Sequence, residues 1–176
     1  MTDPTVTVNN MDIGPCQVKF GTQDIGGTLG NVNVKFKFDK APLMADQTGK
    51  TLLDEAVSGM EVTIETEFAE VQSKVIMAAL FPNAVLAGTS PHQYIDFLNK
   101  VPARQLALAL PLTLHPLVAD AGDFDQDWYF YKAIPSEDSS YVFSPSEQGK
   151  MKIIWKVYLD LSVTPARMWR KGDQSL

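Results

Sequence analysis

Apolar and polar side chains alternate with a period of two in four long stretches of the chain, and that period sets every second side chain on one face of a β-strand. From Asn31 to Phe38, Val32, Val34, Phe36 and Phe38 share one face while Asn31, Asn33, Lys35 and Lys37 share the other. Met60 to Phe68 repeats the pattern, with Val62, Ile64 and Phe68 inward and Glu61, Thr63, Glu65 and Glu67 outward. From Gln105 to Leu114, Leu106, Leu108, Leu110, Leu112 and Leu114 alternate with Ala107, Ala109, Pro111 and Thr113. The last stretch, Lys152 to Val163, brings Ile153, Trp155, Val157, Leu159, Leu161 and Val163 together. Pro111 has no N–H to give to a ladder, so the third strand is predicted to bulge there or to lie at a sheet edge. Shorter strands are predicted at Gln17 to Phe20 and Trp128 to Lys132.

Gly26, Gly27 and Gly30 fall between the first two strands, where freedom to take positive φ lets the chain turn back. One segment breaks the β rhythm. Glu70 to Leu80 holds no turn residue and sets Val71, Val75 and Ala78 on one helical face, which predicts a helix stopped by Pro82. A second, shorter helix is predicted at His92 to Asn99, with Ser90 as cap and Pro91 in the first turn. Asp39 to Gly59 sustains neither period beyond a possible helical turn at Leu52 to Val57, and a structureless stretch of that length points to work at an interface. Met1 to Asn10 and Arg170 to Leu176 are polar and read as loose tails.

The pattern predicts a mainly β fold, a β-sandwich or half-open barrel with one flanking helix and a long interface loop. With 176 residues and 45% hydrophobic content, one domain spanning 1–176 accounts for the chain. Asp and Glu outnumber Lys and Arg by 21 to 15, which disfavours a grip on nucleic acid. A lone cysteine, Cys16, excludes an intramolecular disulfide, and neither an export signal nor a membrane span is legible, so the expected setting is a cytoplasm.

Candidate chemistry is sparse. Asp120, Asp123, Asp125 and Asp127 suggest a calcium loop, but counting from Asp123 the sixth position is Trp128 rather than glycine and the twelfth is Ile134 rather than glutamate. The run reads as a solvated acidic turn. His92 and His115 each stand beside a proline, with no second ligand at metal spacing. Gly88-Thr89-Ser90-Pro91-His92 lacks the second glycine of a nucleophile elbow, Gly26 to Gly30 leads into a strand rather than a phosphate-cradling helix, and Cys16 reads as a small hydrophobe. Trp128 and Phe130 would share one strand face and Tyr129 and Tyr131 the other, one face for the core and one for a neighbour or a sugar. No catalytic residue, cofactor or metal is expected, and no enzyme.

Several short segments nevertheless stand in a specific order. A strand and glycine turn, Phe20-Gly21-Thr22-Gln23-Asp24-Ile25-Gly26, leads to the strand Val32-Asn33-Val34-Lys35-Phe36. Then come Asp46-Gln47-Thr48-Gly49, the acidic-hydrophobic Leu53-Asp54-Glu55-Ala56-Val57, Gly59-Met60-Glu61-Val62-Thr63-Ile64, and an acidic helix start at Ala69-Glu70. In this order they resemble the N-terminal half of the major tail proteins, or tail tube proteins, of long-tailed bacteriophages. The likeness covers Gly21 to Leu80, about a third of the chain, and the C-terminal half matches in architecture alone.

The resemblance implies rings of six copies that stack into a hollow tube, with DNA passing through without specific binding. It implies as partners other copies of the chain and the baseplate, terminator and any sheath proteins, and a place in the virion tail after assembly in the host cytoplasm. The 39–59 loop would reach a neighbouring subunit or ring, with Asp46, Gln47, Thr48, Gly49, Leu53 and Asp54 near the contact. Thr63, Glu65 and Glu67 become candidates for the lumen, where fixed carboxylates repel phosphate. Lys35 and Lys37 are then either neutralised by Glu65 and Glu67 across the strands or not in the lumen. Two rival readings are another tail, baseplate or secretion-tube ring protein, and a carbohydrate- or receptor-binding module built on Trp128 to Tyr131 and Trp169.

Overall fold

A computed structural model describes residues 14–44, 51–68, 73–81, 83–98, 104–136, 138–142 and 149–173. The chain is mainly β. Its elements run β1 (Cys16–Phe20), β2 (Gln23–Gly27), β3 (Asn33–Leu43), β4 (Asp54–Phe68), α1 (Lys74–Leu80), β5 (Ala84–Ala87), β6 (Tyr94–Phe97), α2 (Gln105–Leu108), β7 (Leu110–Pro116), β8 (Trp128–Pro135), β9 (Ser140–Val142), β10 (Lys150–Val157) and β11 (Trp169–Lys171). One antiparallel sheet takes the order β2-β1-β7-β8-β10-β4-β3, with β11 on β8 and β9 on β10, and β5 and β6 form a small second sheet.

The large sheet curls onto itself. Beyond β2, Thr28 N donates to Cys16 O at 3.0 Å while Thr28 bridges Phe68, and Leu29 N donates to Glu67 O at 2.7 Å. The chain thus leaves the edge of β1 and joins the edge of β4 before continuing into β3. Further along, Phe36 on β3 packs across the interior against Trp128 of β8 and Trp169 of β11, with ring centroids 6.1 and 5.3 Å apart. Closed at one end and faced by aromatics at the other, the sheet is sandwich-like, as the alternation predicts.

The inward residues of the alternating stretches fill the space between. Val62, Ile64, Phe68, Ile153, Trp155 and Val157 are buried along the β4–β10 ladder, and Val18, Phe20, Leu112, Leu114 and Phe130 face them. Phe20 and Trp155 lie 4.9 Å apart at the centre. Thr66 completes the inward parity of β4, fully buried, with its hydroxyl accepting the Trp155 indole N–H at 2.9 Å.

Several expected elements change form. The predicted 39–59 loop is mostly ladder: β3 continues to Leu43 and β4 begins at Asp54, so Asp54 to Val57 are strand rather than a helical turn. Tyr94 to Phe97 make strand β6 on β5 instead of a helix, because Ile95 and the aromatic residues gain cross-strand partners that an eight-residue helix alone lacks. Of the leucine ladder, Gln105–Leu108 forms one helical turn, for which alternating Leu and Ala have good propensity, and the strand starts at Leu110. β7 lies inside the sheet, so the bulge at Pro111 is what accommodates the missing N–H. The last long strand ends at Val157. Asp160 then takes the Ser162 N–H and O–H onto one carboxylate oxygen, turning the chain, and leaves Leu159 and Leu161 exposed. Arg170 and Lys171 of the expected loose tail belong to strand β11, anchored by Trp169 among Phe36 and Trp128. In α1, Ser73 caps at Ile76 N, and Ile76, Met77 and Leu80 face the core while Val75 points outward, because the described helix starts at Lys74. The Met1 to Asn10 tail, the segment 70–72 and Pro82 lie outside the described residues.

Candidate assembly interface

The distal part of the β3–β4 hairpin projects as a two-stranded arm. β10 pairs with β4 only from Val62 to Phe68, whereas β3 pairs with β4 all the way out to Leu43 opposite Asp54. Beyond Phe36, which packs on Trp128 and Trp169, every residue from Lys37 to Met44 and from Thr51 to Ser58 is exposed. The ladder therefore continues beyond the body with both faces in solvent, a geometry marginal for an isolated hairpin in water. A bulge at Asp39/Lys40 breaks the alternation, with Ser58 Oγ donating to Asp39 O at 3.0 Å and the Lys40–Glu55 ion pair at 2.8 Å beyond it. The exposed side chains include Phe38 (53%), Val57 (63%), Leu43, Met44, Leu52 and Leu53. Such a ribbon leaves apolar side chains and a free strand edge uncovered.

Of the expected contact residues, Leu53 sits near the arm's tip, its N–H donating to Leu43 O at 3.0 Å, and Asp54 opens β4 with its carboxylate accepting from Glu55 N at 2.8 Å. Asp46, Gln47, Thr48 and Gly49 lie outside the described residues.

Nearer the body, Thr63, Glu65 and Glu67 share the outward face of β4, with Lys156, Ile154 and Lys152 directly across on β10. Glu65 meets Lys35 at 2.5 Å and Lys152 at 3.7 Å. The hydrogen bond from Lys35 is the main reason the Glu65 carboxyl is held below its ordinary range, with the Lys152 charge adding to it and partial desolvation opposing. Lys37 lies 3.6 Å from both Glu61 and Asp39, so its counter-charges are those two and not Glu67. This face carries alternating paired charges rather than a bare wall of carboxylate.

A polar cleft of about 810 Å³ opens on the outside of β1 and β7, lined by Gln17, Lys19, Thr113, His115, Phe124 and Asp127 among others. There His115 Nδ1 and Asp127 Oδ1 are 2.6 Å apart and largely buried. The sequence offers His115 no second ligand at metal spacing, and the partner it meets comes from the fold: Leu114 faces Trp128 in the β7–β8 ladder, so the next positions outward, 115 and 127, meet. The register of the β7–β8 pairing, rather than any motif in the sequence, brings the pair together. Elsewhere in the acidic turn Asp123 Oδ1 accepts from Asp125 N at 3.1 Å. Among the described residues no group of three or more His, Cys, Asp or Glu side chains could hold a metal ion, and no helix is long and apolar enough to cross a membrane.

The aromatic run divides as alternation requires. Trp128 and Phe130 stack inward with centroids 6.3 Å apart, and Trp128 also packs on Trp169 at 5.4 Å, so its ring is spent on packing rather than offered as a platform. Tyr129 and Tyr131 meet edge-to-face at 4.9 Å on the outer side. No family model and no curated protein matches the chain.

Proposed function

We propose that this chain is a virion structural protein, the repeating subunit of a bacteriophage tail tube, whose copies close into rings of six and stack into a conduit for DNA. The observation that carries the reading is the β3–β4 arm, a ladder exposed on both faces with Phe38, Leu43, Leu53 and Val57 uncovered. Burial against an adjacent copy supplies the apolar contact that the ribbon lacks on its own, and a closed ring removes the free edge of β3. The order of segments from Gly21 to Leu80 supports the same reading by resemblance.

The lumen reading rests on the Thr63, Glu65 and Glu67 face. Glu65 and Glu67 stand against Lys35, Lys152 and Lys156 on this face, so its charges nearly cancel, and a wall without strong phosphate attraction lets DNA slide. The role is non-enzymatic; its partners are other copies, the baseplate and terminator proteins and any sheath, and its place is the virion tail, reached after assembly in the host cytoplasm.

Negative-stain electron microscopy with light scattering over a concentration series tests this. Rings or hollow tubes are expected from the full chain, and none from a variant in which residues 41–56 are replaced by Asn-Gly. A monodisperse monomer at high concentration would sink the reading.

A further inference from the structure

On the outer face of β8, a second cleft of about 380 Å³ is lined by Pro111, Tyr129, Tyr131, Lys132, Asp160, Ser162, Arg167 and Arg170. Its construction begins with a register defect. Leu110 pairs with Ala133 but Leu112 with Phe130, so Pro111 alone stands opposite Tyr131 and Lys132. Two residues opposite one make a β-bulge, and a bulge re-aims the side chains it carries. Pro111, with no N–H to lose, is suited to the defect. The segment after β10 closes the other side: Tyr158 N donates to Lys132 O at 2.7 Å, and Asp160 and Arg167 pair through their backbones at 2.8 and 3.3 Å.

The charges in this cleft are unbalanced. Of its cations, Arg170 donates to Asp173 O at 3.3 Å, and Lys132 and Arg167 share one carboxylate, Asp160, in a chain whose net charge is −6. Asp160 is already engaged, since its Oδ1 accepts from Ser162 N at 3.1 Å and Ser162 Oγ at 2.7 Å. Those bonds, the side-chain one foremost, hold its carboxyl below the ordinary range, and the charges of Lys132 and Arg167 add to the lowering, so one carboxylate is shared between two cations. Neither Lys132 nor Arg167 forms a salt bridge with a described residue. Arg167 instead lies with its guanidinium carbon 3.9 Å from the Tyr131 ring centroid, which fixes the plane of its donors. Burial and the neighbouring Tyr131 raise the Tyr129 pKa, so its hydroxyl keeps its proton and can donate.

We infer that this cleft binds a phosphate group, with Lys132 as point charge, Arg167 as an oriented fork of donors and the outer-face tyrosines as neutral walls. A planar guanidinium beside an ammonium matches an oxyanion carrying several acceptor oxygens better than it matches a single carboxylate. The site does not depend on the assembly reading, because every lining residue belongs to one copy of the chain.

Isothermal titration of the full chain with inorganic pyrophosphate at fixed ionic strength tests it. One saturable site is expected, weakened at least tenfold in Lys132→Gln and in Arg167→Gln and unchanged in Lys19→Gln, which lies in the other cleft. Lys132→Gln removes no salt bridge, so it remains informative if loss of the Tyr131 contact unfolds Arg167→Gln. Parental affinity in both Lys132→Gln and Arg167→Gln, absence of saturable heat, or acetate binding as tightly as pyrophosphate overturns the inference. A short DNA duplex that pyrophosphate displaces identifies a phosphodiester as the source, and pyrophosphate binding without duplex binding identifies a free phosphate compound.

Discussion

The indole N–H of Trp155 donates to the hydroxyl of Thr66 across 2.9 Å at the centre of the closed sheet, joining β10 to β4 inside an otherwise apolar core. Both side chains are fully buried, so neither polar atom can turn to water for a substitute. Thr66→Val keeps the shape and leaves the indole donor unpaired, which costs about 1–3 kcal/mol. Trp155→Phe combined with Thr66→Val removes the orphan, and the double-mutant cycle should return a coupling of about 1 kcal/mol. Chemical denaturation of the four proteins measures it. Thr66→Ser, which retains the hydroxyl, should fall nearer the parent than Thr66→Val does.

Glu65 gives a pH dependence with a defined sign. Its folded pKa lies below the ordinary value of 4.5, chiefly because Lys35 donates to it. A carboxyl depressed on folding contributes stability above its unfolded pKa and loses that contribution as pH falls through the folded value. The window therefore opens near 4.5 and extends downward. In Lys35→Met the Glu65 titration midpoint, followed by carbon-detected NMR of the carboxyl, should rise toward the ordinary value. Lys37→Met should leave it in place, since Lys37 pairs with Glu61 and Asp39.

The ladder of β4 and β10 was legible because one face of each strand is buried, which imposes period two on Val62, Ile64, Ile153 and Trp155. Where burial stops, so does the signal. Lys40 to Leu43 and Asp54 to Ser58 are strand with solvent on both faces, and the bulge at Asp39/Lys40 shifts what alternation remains, so the arm reads as a loop. Leucine spacing failed differently: Leu106 and Leu108 continue the period of Leu112 and Leu114, yet only the latter two have a sheet to face. His115 and Asp127 are invisible singly. Their pairing follows from hairpin register, a tertiary quantity that composition does not carry.

That pair makes its own prediction. Asp127 is buried, and His115 supplies its side-chain partner at 2.6 Å, so His115→Ala leaves a carboxylate with one fewer donor. A cost of about 1–3 kcal/mol is expected for leaving a buried polar group unpaired. Thermal unfolding of His115→Ala against His92→Ala, whose side chain is exposed, isolates the effect. Equal midpoints for the two variants would show that water replaces the imidazole without loss.

The arm separates assembly from folding in a way that single substitutions can exploit. Phe38 and Val57 are more than half exposed, so Phe38→Asp and Val57→Asp remove only the smaller, covered part of each side chain from the isolated subunit, and unfolding midpoints should stay within a few degrees of the parent. Val62→Asp, a few residues along the same strand and fully buried, should prevent folding because an unpaired charge would enter the core. If adjacent copies cover the arm, burying the exposed half of each such side chain contributes about 1 kcal/mol, and a carboxylate placed there adds about 1–3 kcal/mol of unpaired polar cost. At about 1.4 kcal/mol per factor of ten, either exposed-site variant should then raise the concentration needed for rings or tubes at least tenfold. Sedimentation velocity across a dilution series reads this directly. Assembly at unchanged concentration in both variants would mean that the arm stays in solvent after the subunits meet, and that the contact holding them lies elsewhere on the sheet.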